Sequence, residues 1–196
     1  MDDTLPSVER VADLQQLIAR FGAVERALNL PGSSRKENDN DHSFGLALTC
    51  WYLQPKITPE LDLLEILKLA LAHDLVELHA GDTFAFDKAA VADKQVRERS
   101  AVSRLRADWP DFTNMVDYAE HYVDRASEEA RFVKAVDKLL PPLMIELNGA
   151  DEWQRLGITL AMEKDAKRSL HISNYLSPYY KLLLEWLEQR GHIPRE

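Results

Sequence analysis

Apolar residues recur at helical spacing along most of this chain. Val11, Leu14, Leu17, Ile18 and Phe21 form one stripe, which predicts a helix from Val8 to about Leu28 with Ser7 as its N-cap. Pro31-Gly-Ser-Ser34 reads as a turn, and a second helix is expected from about Asp41 to Tyr52, capped by Asn40 or Asp41. Gln54 to Pro59 reads as a loop. Thr58 then caps a third helix with Pro59 in its first position, and that helix runs through Leu78 to end near Gly81. The pattern breaks over residues 82–87. Further helices are expected at about 89–108 and 111–122, and from Ser127 through Phe132, Val136 and Leu139. Pro141-Pro142 should kink or interrupt that last helix, and Asn148-Gly149 should break the chain. Two amphipathic helices follow, about 152–172 and 178–189. No segment sustains period-two alternation. The reading is one compact, all-α, multi-helix domain over residues 1–196.

Composition agrees with helices. Hydrophobic residues make up 45% of 196 and glycine occurs only seven times. The formal net charge of -9 disfavours a nucleic-acid polymer as partner, although a local site can still take a small phosphate. Cys50, the single cysteine, excludes an intramolecular disulfide and reads as a small buried residue. No apolar run approaches the ~18 residues a membrane helix needs. The opening Met-Asp-Asp has neither a basic nor an apolar leader segment, so a cytoplasmic protein without a membrane partner is expected.

The candidate chemistry lies where ligand-type residues interrupt apolar runs. His73 and Asp74 sit side by side in Lys68-Leu-Ala-Leu-Ala-His-Asp-Leu-Val-Glu77. Burying both without compensation is costly, and a divalent metal is a good candidate to compensate them. Helical spacing puts His73 with Glu77 (i, i+4) and Asp74 with Glu77 (i, i+3) on one face. His42 follows the polar run 35–41, and Asp137 interrupts Phe132-Val-Lys-Ala-Val-Asp-Lys-Leu-Leu140. Two imidazoles and two carboxylates from three helices suit one Mn, Fe, Co, Ni or Zn ion with open positions. Taken alone, His73-Asp74 reads equally well as a buried hydrogen-bonded pair with a purely structural role.

The order His…His-Asp…Asp resembles the HD-domain phosphohydrolase superfamily. Three strings are similar to its small 5'-deoxynucleotidase branch: Arg35-Lys-Glu-Asn-Asp-Asn-Asp-His-Ser43, His73-Asp-Leu-Val-Glu-Leu-His-Ala-Gly-Asp-Thr83 and Glu129-Ala-Arg-Phe-Val-Lys-Ala-Val-Asp-Lys-Leu139. The resemblance implies an HD core over about 35–145, with helices of residues 152–190 packed on it. It implies His42, His73, Asp74 and Asp137 as ligands of one divalent transition metal. Glu77 would act on the attacking water or the leaving oxygen, and Asp82 would contact substrate or orient that water. Arg35 and Lys138 could meet phosphate. Arg20 matches a substrate-contacting arginine; the relatives follow it with Trp where this chain has Phe21.

The implied activity is a phosphomonoesterase, in which a metal-activated water attacks a small phosphorylated metabolite such as a (deoxy)nucleoside 5'-monophosphate. Two alternatives stay open: a dinuclear iron HD oxygenase, which needs extra histidines such as His79 or His121, and a non-catalytic nucleotide- or metal-binding regulatory module. The branch also implies a homodimer, for which the apolar segment Tyr175 to Trp186 is a candidate surface.

Overall fold

The computed structural model describes residues 5–81, 94–168 and 176–195. Helix α1 (Val8–Phe21) is capped by Ser7, whose side chain accepts from the Arg10 amide. It stops seven residues before the expected Leu28. The Gly22 amide closes onto Ile18 O, and the chain turns into an antiparallel hairpin, β1 (Glu25–Asn29) with β2 (Lys36–Asn38). Glu25 pairs with Asn38 and Asn29 with Lys36, with an irregularity between them. Only Leu28 is buried in β1, so this strand carries no alternation for a sequence pattern to register.

Helix α2 (Asp39–Ile57) is longer than expected at both ends. Its cap is Asn38, two residues before the first residue expected for that role. The Asn38 side chain accepts from the Asp41 amide at 2.9 Å, and the Asp41 carboxylate accepts from the Asn38 amide at 3.1 Å. Residues 54–57 are helical rather than loop, and Thr58 ends α2 instead of starting the next helix. Asp62 is the better cap, accepting from the amides of Leu64 and Glu65, so α3 (Leu63–Ala72) begins there.

The expected continuous third helix is broken after Ala72. Bonds there tighten to the i→i−3 type: Leu75 to Ala72, Glu77 to Asp74, Leu78 to Leu75 and His79 to Val76. The short helix α4 (Glu77–Ala80) follows and ends at Gly81, whose φ of 72° suits glycine.

The second half holds α5 (Lys94–Asp108), α6 (Thr113–Asp124) and α7 (Glu128–Asp137), the last capped by Ser127 as the sequence suggested. The interruption at the proline pair takes the form of a new helix. α8 (Leu140–Asn148) carries both prolines in its first turn, where a missing amide loses no helical bond. The expected helix over 152–172 is two helices, α9 (Ala150–Leu156) and α10 (Leu160–Arg168), separated by Gly157 at φ 64°. α11 (Ser177–Arg190) completes the order.

The core lies around α3, which packs on α2, α6 and α7. Leu46, Ile66, Leu69, Val116, Phe132 and Val136 are its central side chains, each about 2% exposed or less. The architecture is all-α with one small hairpin, and that hairpin packs on α8 and on the start of α2.

Candidate metal centre

Three helix ends converge on the centre. His42 lies in the first turn of α2, His73 caps the C-terminal end of α3, and Asp137 is the last residue of α7. Ligand atoms of these three residues lie within 4.8 Å of one another, and all three are buried. Two of the three elements present their C-terminal ends, where the helix dipole favours a cation. Asp74 falls in an adjacent buried group with Asp39 and Glu77, whose carboxylate atoms also lie within 4.8 Å of one another. The tightened turn explains that pairing. With three residues per turn, side chains three apart eclipse, which stacks Glu77 on Asp74.

The two groups meet between His73 and Asp74. His73 Nδ1 lies 2.8 Å from Ala70 O, an acceptor only, so Nδ1 carries a proton and leaves Nε2 to face the centre. Nε2 is buried, makes no hydrogen bond among the described residues, and lies 2.8 Å from Asp74 Oδ2. A cation placed beside this pair could bind the ring nitrogen and the carboxylate oxygen together. The donor set of imidazole nitrogens and carboxylate oxygens is that of a divalent transition metal, whose bonds of about 2.0–2.2 Å hold ligand atoms about 3–4 Å apart. The residues present fit such an ion.

His42 Nε2 lies 3.1 Å from Asp137 Oδ1, and its Nδ1 lies 3.4 Å from Glu37 Oε1. Burial and the Arg26 charge push the His42 pKa down, but hydrogen bonds to Asp137 and Glu37 override them and hold it at about 9. Glu37 thus orients the ring from behind, as carboxylates behind metal-binding histidines commonly do. Asp137 Oδ2 accepts from Tyr122 Oη at 2.9 Å and from Lys134 Nζ at 3.2 Å. Burial opposes its charge, yet Lys138, Lys134 and His42 hold its carboxyl well below the usual range. At Asp74 burial likewise opposes ionisation, and His73, Arg26 and His42 overcome it and lower the pKa.

The remaining candidates separate clearly. Glu77 is buried beside Asp74, with Oε2 3.9 Å from Arg26 Nη1. Lys138 Nζ is 3.7 Å from Asp137 Oδ2, at the edge of the centre. Arg35 is exposed and donates to Asp41 at 2.7 Å. Arg20 is exposed on α1 and makes no hydrogen bond or ion pair to either group, while Phe21 behind it is buried in the core. Asp82 lies outside the described residues. His79 Nε2 sits 3.2 Å from Asp108, and His121 meets Tyr118 edge-on, so neither joins His42 and His73.

Sequence reasoning missed Arg26, Glu37 and Asp39. Arg26 Nη1 donates to Asp74 at 2.9 Å and to Asp39 at 3.2 Å, and its Nε lies 3.4 Å from Glu37. The only signal, for Glu37 and Asp39, was the polar run 35–41, which looks like a solvated loop until the hairpin turns it inward. Among the described residues, no helix is long and apolar enough to cross a membrane.

Known proteins share sequence and fold with this chain. An HD domain family model matches residues 19–174. The 5'-deoxynucleotidase HDDC2 of Danio rerio is 30% identical over 142 residues, 71% of this chain and 66% of that protein. Its counterpart from Xenopus laevis is 28% identical over 62% of this chain and 57% of its own length. The chain therefore spans just under two thirds of the first of these relatives and less of the second. A crystal structure of a predicted metal-dependent phosphohydrolase from Magnetospirillum magnetotacticum MS-1 superposes with a TM-score of 0.78 at 29% identity, covering 94% of this chain and 96% of that one. The matched model extends over most of the chain and contains all four convergent His and Asp positions: the protein belongs to the HD domain family.

Proposed function

We propose that the protein is a metal-dependent phosphomonoesterase, acting on (deoxy)nucleoside 5'-monophosphates or similar small phosphate esters. The observation that carries this reading is the buried cluster of His42, His73 and Asp137, with His73 Nε2 2.8 Å from Asp74 Oδ2. The names of the similar proteins support the reaction class and, more loosely, the nucleotide.

His42, His73, Asp74 and Asp137 would hold the ion. Such an ion, when bound, acidifies water and compensates charge on phosphoryl oxygens. Glu77 shares a buried carboxylate group with Asp74 and is the residue to accept the proton of the attacking water. Lys138, at the rim and part-exposed, is the cation to meet the phosphate. Arg35 would have to leave Asp41 to do the same. Phosphoryl transfer asks mainly for positioning and charge compensation, so no covalent nucleophile is needed.

The test is metal analysis with a phosphate-ester panel. Chelation should abolish phosphate release, and a transition metal should restore it. Metal-loaded protein that is inert across a broad panel overturns the reading.

A further inference from the structure

The acidic group beside the metal centre already contains a cation, the Arg26 side chain. One guanidinium reaches four carboxylates: Asp74 at 2.9 Å, Asp39 at 3.2 Å, Glu37 at 3.4 Å and Glu77 at 3.9 Å. Every one of these side chains is at most 13% exposed. Three of them, Asp39, Asp74 and Glu77, are arranged so that one ion could bind them together. We propose that Arg26 is an internal counter-cation that fills the Asp39–Asp74–Glu77 group, keeping metal out of it and confining metal to the His42–His73–Asp74–Asp137 side. This rests on reading those four residues as the metal ligands.

The physical argument concerns charge and permanence. Several buried carboxylates at this separation repel strongly and need a compensating cation. A lysine in such a site can lose its proton, whereas a guanidinium keeps its charge and presents several donors in a rigid fork. Arg26 is delivered by β1, whose partner strand β2 carries Glu37 and leads into Asp39, so the hairpin assembles the arginine with two of its acceptors. The consequence concerns Glu77. With Arg26 in place its carboxylate is held beside the centre without being drawn onto a metal.

The sign of the effect separates this role from simple bracing. If Arg26 only braced the ligands, its loss would weaken cation binding. As an occupant, its loss opens a cation site. Equilibrium dialysis against Mn²⁺ is expected to show that Arg26→Ala binds one more ion per chain than the wild type. The two ions, lying side by side, should give a spin-coupled multiline electron paramagnetic resonance spectrum. The extra ion should disappear in Arg26→Ala/Asp39→Asn. In Arg26→Ala, kcat should fall as Mn²⁺ rises through the range that fills the new site, with KM little changed.

Should Arg26→Ala fail to fold, Arg26→Gln carries the same measurement. An unchanged ion count in the folded neutral variant overturns the proposal. So does an extra ion that survives Asp39→Asn or shows no coupling. Wild-type protein that binds no metal would instead sink the ligand assignment itself, and metal-binding protein without phosphatase activity would sink only the proposed reaction.

Discussion

Two buried polar clusters in this molecule look alike in composition and differ in saturation. At the C-terminal end, the fully buried carboxylate of Glu146 in α8 accepts from three donors: Trp153 Nε1 at 2.9 Å, Arg190 Nε at 3.0 Å and His192 Nδ1 at 2.7 Å. It ties α8 to α9 and to the residues at and beyond the end of α11. At the other cluster, His73 Nε2 is buried and accepts from nothing among the described residues, although a carboxylate oxygen lies 2.8 Å away. Burial demands partners for polar groups. Where the chain supplies all of them, the cluster is a fastening. Where it gathers imidazoles and carboxylates with a ring nitrogen left over, the cluster is suited to a partner from outside. This contrast, more than the identity of any residue, separates the candidate metal centre from the clasp.

The strongest way to break the contrast is Asp74→Ala. It should lose metal and drop phosphate release to background, with metal content measured on protein that circular dichroism shows to be folded. A variant that keeps its metal would show that Asp74 serves the fold as Glu146 does. Glu77→Ala comes next. It should retain metal and lose roughly 10²–10⁴-fold in kcat, the range for a general base. Full activity in that variant would remove Glu77 from the reaction.

Glu146→Ala probes the other side. Arg190 and His192 are part-exposed and can regain water, but the Trp153 indole N–H would be left buried without an acceptor. That costs about 1–3 kcal/mol. Thermal unfolding should show this loss, while metal affinity and kcat stay at wild-type values. A loss of metal affinity instead would show that the two clusters are coupled.

The contrast was half legible in the sequence. His42, His73, Asp74 and Asp137 could be found because each is a ligand-type residue in or beside an apolar run, a local clash that needs no tertiary knowledge. The order of helices followed from the 3.6-residue period for the same reason. Arg26, Glu37 and Asp39 were hidden. The hairpin that turns them inward has one buried apolar residue in β1 and a register irregularity, so it leaves no alternation to read. The break after Ala72 was also invisible, because it swaps i→i−4 for i→i−3 bonds without a proline or glycine to mark it. Glu146 drew no notice either. An acidic residue in an apolar stretch near Trp153 gains its meaning only when Arg190 and His192, more than 40 residues away, fold onto it.

The smallest expected effect concerns how His42 is delivered. The Asn38–Asp41 box starts α2 at Asp39, three residues before His42, so the box sets the height of that side chain. Asn38→Ala should cost about 1 kcal/mol of stability at any pH, the usual value of an N-cap. The Asp41 share depends on pH. The hydrogen bond from Arg35 holds its carboxyl below the ordinary range, against a smaller opposing effect of burial and with help from the Asn38 amide. A carboxyl lowered on folding stabilises the protein above its unfolded value near ~3.9 and loses that contribution as pH falls through the lower folded value. Asp41→Asn should therefore be less stable than wild type at neutral pH, and the two should converge in acid, whereas Asn38→Ala should keep its deficit throughout. Denaturant unfolding at a series of pH values separates the two curves. Parallel curves for both variants would mean that Asp41 acts through shape alone, and that the start of α2 holds His42 without help from charge.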